Sequence, residues 1–161
     1  MTTDRGEAAI RIDGEALADA EDLARTAAPN ESGGILVGWW EPPNVAIVRA
    51  LLPVQDHDVG RFHYSRRHSI AQAKLEEYRR TQTDANSGYI GEWHSHPAPL
   101  PPSSTDRREL NAIVKQTRER TALVVVALDR GGVAQAHGLV GRPRWPRQAA
   151  IDHARIERTE P

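Results

Sequence analysis

Four of the six residues from Pro97 to Pro102 are proline. Such a segment cannot be helix or central strand, because each ring fixes φ and removes a backbone donor. It divides two elements sharply. Before it, Asn86-Ser87-Gly88 is a turn signal, and Tyr89 to Trp93 reads as a strand running into His94-Ser95-His96. After it, Ser103 opens a helix through Thr117, with Leu110, Ile113 and Val114 inward. A strand end and a helix start thus stand one proline-rich loop apart.

The remaining chain falls into elements of ordinary length. Ile10 and Ile12 alternate with charged residues, as in a short strand. Gly14 to Ala28 reads as an amphipathic helix with Leu17, Ala20 and Ala24 on one face, closed by Pro29 and Asn30. Gly34 to Trp40 and Val45 to Val54 are strands around the turn Pro42-Pro43-Asn44. Gln55 to Arg67 reads as loop with a short strand around Phe62, and Arg67 to Thr81 as a helix. Leu123 to Leu128 and Val133 to Val140 form a hairpin across Arg130-Gly131-Gly132. Gln148 to Arg158 is expected to form a last, short helix. Hairpin strands mixed with helices indicate an α/β or α+β domain with a mixed sheet.

The chain has 161 residues, which fits one domain able to bury roughly 70% of its unfolded surface. There is no internal repeat. The longest apolar run, Ala122 to Leu128, is far short of the ~20 residues of a spanning helix. The N-terminus has no signal-peptide core, so a cytoplasmic protein is expected. The net charge of -1 provides no bulk field for nucleic acid or an anionic membrane, and neither is expected as a partner. There is no cysteine, so any metal must be held by His, Asp, Glu or backbone groups.

The chemistry concentrates around the proline loop. His94 and His96, at i and i+2 of a strand, point to the same side roughly 7 Å apart and can converge on one ion. Asp106, in the first turn of the following helix, can supply an anionic third ligand. Three protein ligands leave one tetrahedral position open, as in catalytic zinc sites. A carboxylate is the usual group to move the proton of a zinc-activated water. Glu31, at a helix-to-strand junction, is a candidate, and Ser103 can donate its hydroxyl to a developing oxyanion. Taken singly these residues have plain readings. Ser103-x-x-Asp106 is also a capping box, the histidines are also ordinary strand residues, and Glu31 is also a solvated loop carboxylate. His-x-His with Ser-x-x-Asp at a fixed offset arises by chance in about one such chain per thousand.

The order Glu31, His94-x-His96-x(6)-Ser103-x(2)-Asp106 resembles the JAMM motif of JAB/MPN-domain metalloproteases. Gly88 to Pro97 is similar to the prokaryotic JAB branch in particular, and Glu31 to Gly38 to the segment carrying the family's glutamate. The likeness covers roughly residues 8 to 140. It implies a single JAB/MPN-like domain over residues 1–145, with a mixed, curved sheet flanked by helices and a zinc site at one sheet end. Residues 146–161 would be a C-terminal tail carrying the short helix. The resemblance further implies that His94, His96 and Asp106 bind Zn2+, with Glu31 as general acid/base and Ser103 as oxyanion stabiliser. The implied activity is that of a deubiquitinase-like isopeptidase or peptidase, cutting after the C-terminus of a ubiquitin-like protein whose tail lies beside the sheet as an added strand. Bacterial members of this branch often accompany E1-like and E2-like proteins, some in antiphage defence and others in sulfur-carrier processing. The alternatives are a zinc hydrolase of small amides or sulfur-carrier adducts, and a non-catalytic interaction module.

Other residues carry less. Glu92 is as readily a strand surface residue as a partner orienting a histidine. His57, His63 and His68 fit loop or rim positions, and His137 a strand position. Trp39, Trp40, Trp93 and Trp145 are mainly packing candidates.

Overall fold

The computed structural model describes residues 6–54, 64–81 and 86–160. The elements run β1 (Ala9–Asp13), α1 (Gly14–Ala27), β2 (Gly33–Glu41), β3 (Val45–Pro53), α2 (Tyr64–Thr81), β4 (Gly88–His96), α3 (Ser104–Thr117), β5 (Thr121–Leu128), β6 (Ala134–Arg144) and β7 (Gln148–Thr159). The strands close into a barrel in the order β1-β3-β2-β4-β5-β6-β7. Pairs β1–β3, β1–β7 and β4–β5 are parallel, and the others antiparallel. The mixed, curved sheet expected from the hairpin pattern is therefore present, and it closes on itself.

Each helix finds its place through an apolar stripe. Asp13 caps α1 by accepting from the Ala16 N–H, and Leu17, Ala20 and Ala24 turn inward. They join Ile10, Ile12, Val48, Trp93, Val124 and Val126 in the main core. On the opposite sheet face, Leu110 and Val114 of α3 pack on Leu123, Val125 and Leu139. Leu75 and Tyr78 of α2 pack on Ile35, Val37 and Leu52. Strand β5 is buried along its whole length because α3 covers one face and the main core the other. That accounts for its unbroken apolar run, where a half-exposed strand would alternate.

The segment expected as a helical tail is instead β7. Ala149 and Ile151 face α3, while Ala154 and Ile156 face the main core. These two apolar pairs lie on alternate sides of an extended chain, and β7 takes ladder bonds from both β6 and β1. Long-range pairing thus overrides an Ala- and Glu-containing stretch of fair helix propensity. Closure also changes how a peptide can dock. Each described strand has a neighbour on both sides over part of its length, so an added strand has to pair with a stretch the closure leaves open, such as Ala134 to His137 of β6, which pairs with β5 and lies beyond the β7 ladder. Helix α2 begins at Tyr64, earlier than Arg67. The short strand around Phe62, with His57 and His63, lies outside the described residues. Trp93 is a core residue at 1% exposure, whereas Trp145, at the β6–β7 turn, is 92% exposed. Trp39 and Trp40 are half-buried beneath Arg49 and Arg120, whose guanidinium carbons lie 5.9 and 5.4 Å from the ring centroids.

Candidate metal centre

Strand β4 sends alternate side chains to opposite faces. Trp93 and Ser95 point into the barrel, where they are buried, and the Trp93 indole N–H donates to the Leu52 carbonyl at 3.2 Å. That anchoring turns Glu92, His94 and His96 toward the face covered by α3. The two imidazole centroids are 5.1 Å apart, so the i, i+2 pair converges as expected.

Asp106 reaches them from the first turn of α3. Ser103 caps this helix, its Oγ accepting from the Asp106 N–H at 3.1 Å, while the Ser103 N–H donates to Asp106 Oδ2 at 2.7 Å. This reciprocal capping box aims the carboxylate at β4. Asp106 Oδ1 lies 3.1 Å from His94 Nε2, and Oδ2 lies 3.5 Å from His96 Nε2. The capping and metal-ligating readings of Ser103-x-x-Asp106 are therefore compatible in one geometry. The proline loop has a share in it. His96 Nδ1 lies 2.9 Å from the Leu100 carbonyl, a partner that requires the proton on Nδ1 and leaves the Nε2 lone pair free.

The electrostatics follow from this packing. Burial pushes the Asp106 carboxyl upward. The hydrogen bonds from His94 and Ser103 and the His94 charge outweigh it and hold the carboxyl at about 2. Burial alone would lower His94. The Asp106 hydrogen bond and charge, with the charges of Glu31 and Glu109, outweigh it and raise His94 above the usual imidazole value. His137, in β6, is lowered by burial and by the neighbouring His153 and His96 imidazoles.

Glu31 sits in the segment between α1 and β2 and is exposed. Its charge acts on His94, which puts it in the neighbourhood of the histidines. Ser103 is at the helix cap beside Asp106. Glu92 shares a crevice with His94, Asp106, Glu109 and Ile113. Three contributors were not legible in sequence: the Leu100 carbonyl, Glu109 and Ser95. Glu109 carried a faint signal, since i+3 from Asp106 places it on the same helix face.

The donor set suits a metal ion. One ligand atom from each of His94, His96 and Asp106 lies within 4.8 Å of the others. Tetrahedral ligands about 2.0–2.1 Å from zinc stand roughly 3.4 Å apart, so small side-chain rotations bring all three onto one ion. Two imidazole nitrogens and a carboxylate oxygen form a set that zinc accepts, with one position left open.

Comparisons with known proteins bear on the fold and the family. The solution structure of DSY2949 from Desulfitobacterium hafniense matches at a TM-score of 0.62 over 94% of both chains, at 18% identity, which speaks to the fold alone. A probable metalloprotease of Sinorhizobium fredii is 30% identical over 105 residues, 63% of each chain. A CD-NTase/cGAS isopeptidase of Pseudomonas aeruginosa is 29% identical over 108 residues, 64% of this chain and 65% of the relative. The chain thus spans just under two thirds of the curated relatives it matches. The family model for prokaryotic homologues of the JAB domain matches residues 15–141, a span that includes Glu31, both β4 histidines, Ser103 and Asp106. On that match the chain belongs to the prokaryotic JAB-domain family.

Proposed function

We propose that this chain is a zinc-dependent isopeptidase or peptidase that hydrolyses the bond after the C-terminal tail of a ubiquitin-like protein. The observation that carries the reading is the convergence of His94, His96 and Asp106 at the end of β4. His94, His96 and Asp106 would hold the metal. A zinc ion bound there would polarise the scissile carbonyl and lower the pKa of a water it holds to about 7.

The chain's own groups do the rest. Glu31 takes a proton from the attacking water as its oxygen bonds to the carbonyl carbon. It then delivers that proton to the leaving amine as the C–N bond breaks. Ser103 Oγ already accepts from the Asp106 N–H, and its own proton is available for the oxyanion. A conjugate as substrate is supported by the family and by a relative named as an isopeptidase; that the conjugate is of a ubiquitin-like protein, with E1-like and E2-like proteins in the same pathway, is part of the proposal.

The test pairs ubiquitin-like fusions with short peptide amides, using zinc-loaded wild type and Glu31→Gln. The expected result is cleavage of a fusion by wild type and a loss of at least about 100-fold in the variant, with zinc retained. Cleavage of the amides alone would move the assignment to a small-amide hydrolase. Cleavage of neither by the loaded protein would move it to an interaction module. Undiminished activity in Glu31→Gln would remove the glutamate from its role.

A further inference from the structure

Glu31 belongs to no strand or helix, yet the proposed chemistry needs its carboxylate held beside His94. We infer that Ser95, acting through Ser32, is the positioning residue that holds it there, an inference that rests on Glu31 being the acid–base group.

The ladder between β2 and β4 ends at Gly33, paired with His94. One residue earlier the pairing continues with a side chain in it. The Ser95 N–H donates to the Ser32 carbonyl at 2.8 Å, as a backbone pair would. The return bond does not go to a carbonyl. The Ser32 N–H donates to Ser95 Oγ at 2.8 Å, and the two hydroxyl oxygens lie 3.0 Å apart. Ser95 is 1% exposed, so these bonds are shielded from competing water. The Ser95 hydroxyl is thus the last rung of the ladder, and Glu31 is the next residue along the chain.

Gly33 brings the segment close. A Cβ at Gly33 would meet the Trp93 carbonyl oxygen at 2.7 Å and His94 Cβ at 3.1 Å. No side chain fits there, and the strand entry lies hard against the backbone that carries His94. Gly33 gives the segment its closeness and the Ser95 lock gives it its fixed position. Ser95 points into the barrel, away from the face presenting His94 and His96. It touches none of the reacting groups, so its effect passes through the backbone of Ser32. Removing the hydroxyl leaves the Ser32 N–H without its acceptor and frees the chain at Glu31. A misplacement of about 1 Å is enough to cost an acid–base group much of its effect.

The test compares wild type, Ser95→Ala and Ser95→Thr, first without metal. Residue-resolved hydrogen exchange should rise about tenfold or more at the Ser32 amide in Ser95→Ala, with the β5 amides and Tm near wild type. Crystal structures should show the Glu31 carboxylate displaced from His94 in that variant. With zinc restored and the aminomethylcoumarin amide of ubiquitin as probe, kcat should fall about 10–100-fold with KM unchanged. Ser95→Thr, which keeps the hydroxyl, should recover all three. Wild-type exchange at Ser32 with Glu31 unmoved in Ser95→Ala would overturn the inference. So would faster exchange spread evenly over β4 and β5 with a lowered Tm, which marks a purely structural role. Full activity in Glu31→Gln would count against the glutamate's proposed role instead, and the exchange and crystal results would still decide whether the lock holds.

Discussion

Asp106 serves two structures at once, and that has measurable consequences. Its carboxylate completes the α3 capping box and faces both histidines. In the metal-free protein its folded pKa of about 2 lies below the ordinary carboxylate value. The unfolded chain therefore binds more protons as pH falls from about 4 to about 2, and the Asp106 contribution, on the order of 1–2 kcal/mol, is lost across that window. His94 is raised, so its contribution is complete below the ordinary imidazole value and is lost as pH rises through the raised one. Chemical denaturation of metal-free protein across pH should show both losses, and Asp106→Asn should remove the acidic one. Protons also compete with metal at His94, so zinc affinity should fall as pH drops below the raised His94 value. Ser103→Ala should cost about 1 kcal/mol of stability through the lost cap, read from denaturant midpoints, with zinc content unchanged. The triad was legible because strand and helix spacing fix which side chains meet. Ser95 and the Leu100 carbonyl were not, because their roles lie in bonds between segments that sequence spacing does not relate.

At the scale of elements, the site depends on where α3 sits. Gly141 of β6 is the contact that permits its close approach. A Cβ there would meet Val114 Cγ2 at 2.7 Å and Leu110 Cγ at 3.2 Å, both on α3. Gly141→Val should destabilise by about 1–3 kcal/mol through overpacking, read from denaturant midpoints. It should also weaken zinc binding, because Asp106 moves with the helix; unchanged affinity by competition with a chelator would show that the helix position does not govern the site. Helices α1 and α3 were readable from their caps and apolar stripes, Leu17, Ala20 and Ala24 in one, Leu110 and Val114 in the other. Strand β7 was not. Its apolar residues divide between two faces, and what makes it a strand is a pair of partners distant in the chain.

For the whole molecule, closure is the property that composition and hairpins left unstated. The mixed sheet follows from turns such as Arg130-Gly131-Gly132, but the seam is the pairing of Ala9 through Asp13 with Arg155 through Thr159. A chain ending at Arg144 should lose that seam, strip Ile10 and Ile12 of cover, and fail to melt cooperatively by circular dichroism. A cooperative melt near the full-length Tm would make β7 dispensable. The barrel in turn holds β4 rigid between β2 and β5, so that its two histidines present a fixed pair to Asp106. The central claim is that this pair and Asp106 form an open, three-ligand metal site. The most direct test is the metal content of the purified protein beside His94→Ala. About one zinc per chain, lost in the variant, is the predicted result. No zinc in either protein, even after zinc is added back, would contradict the account.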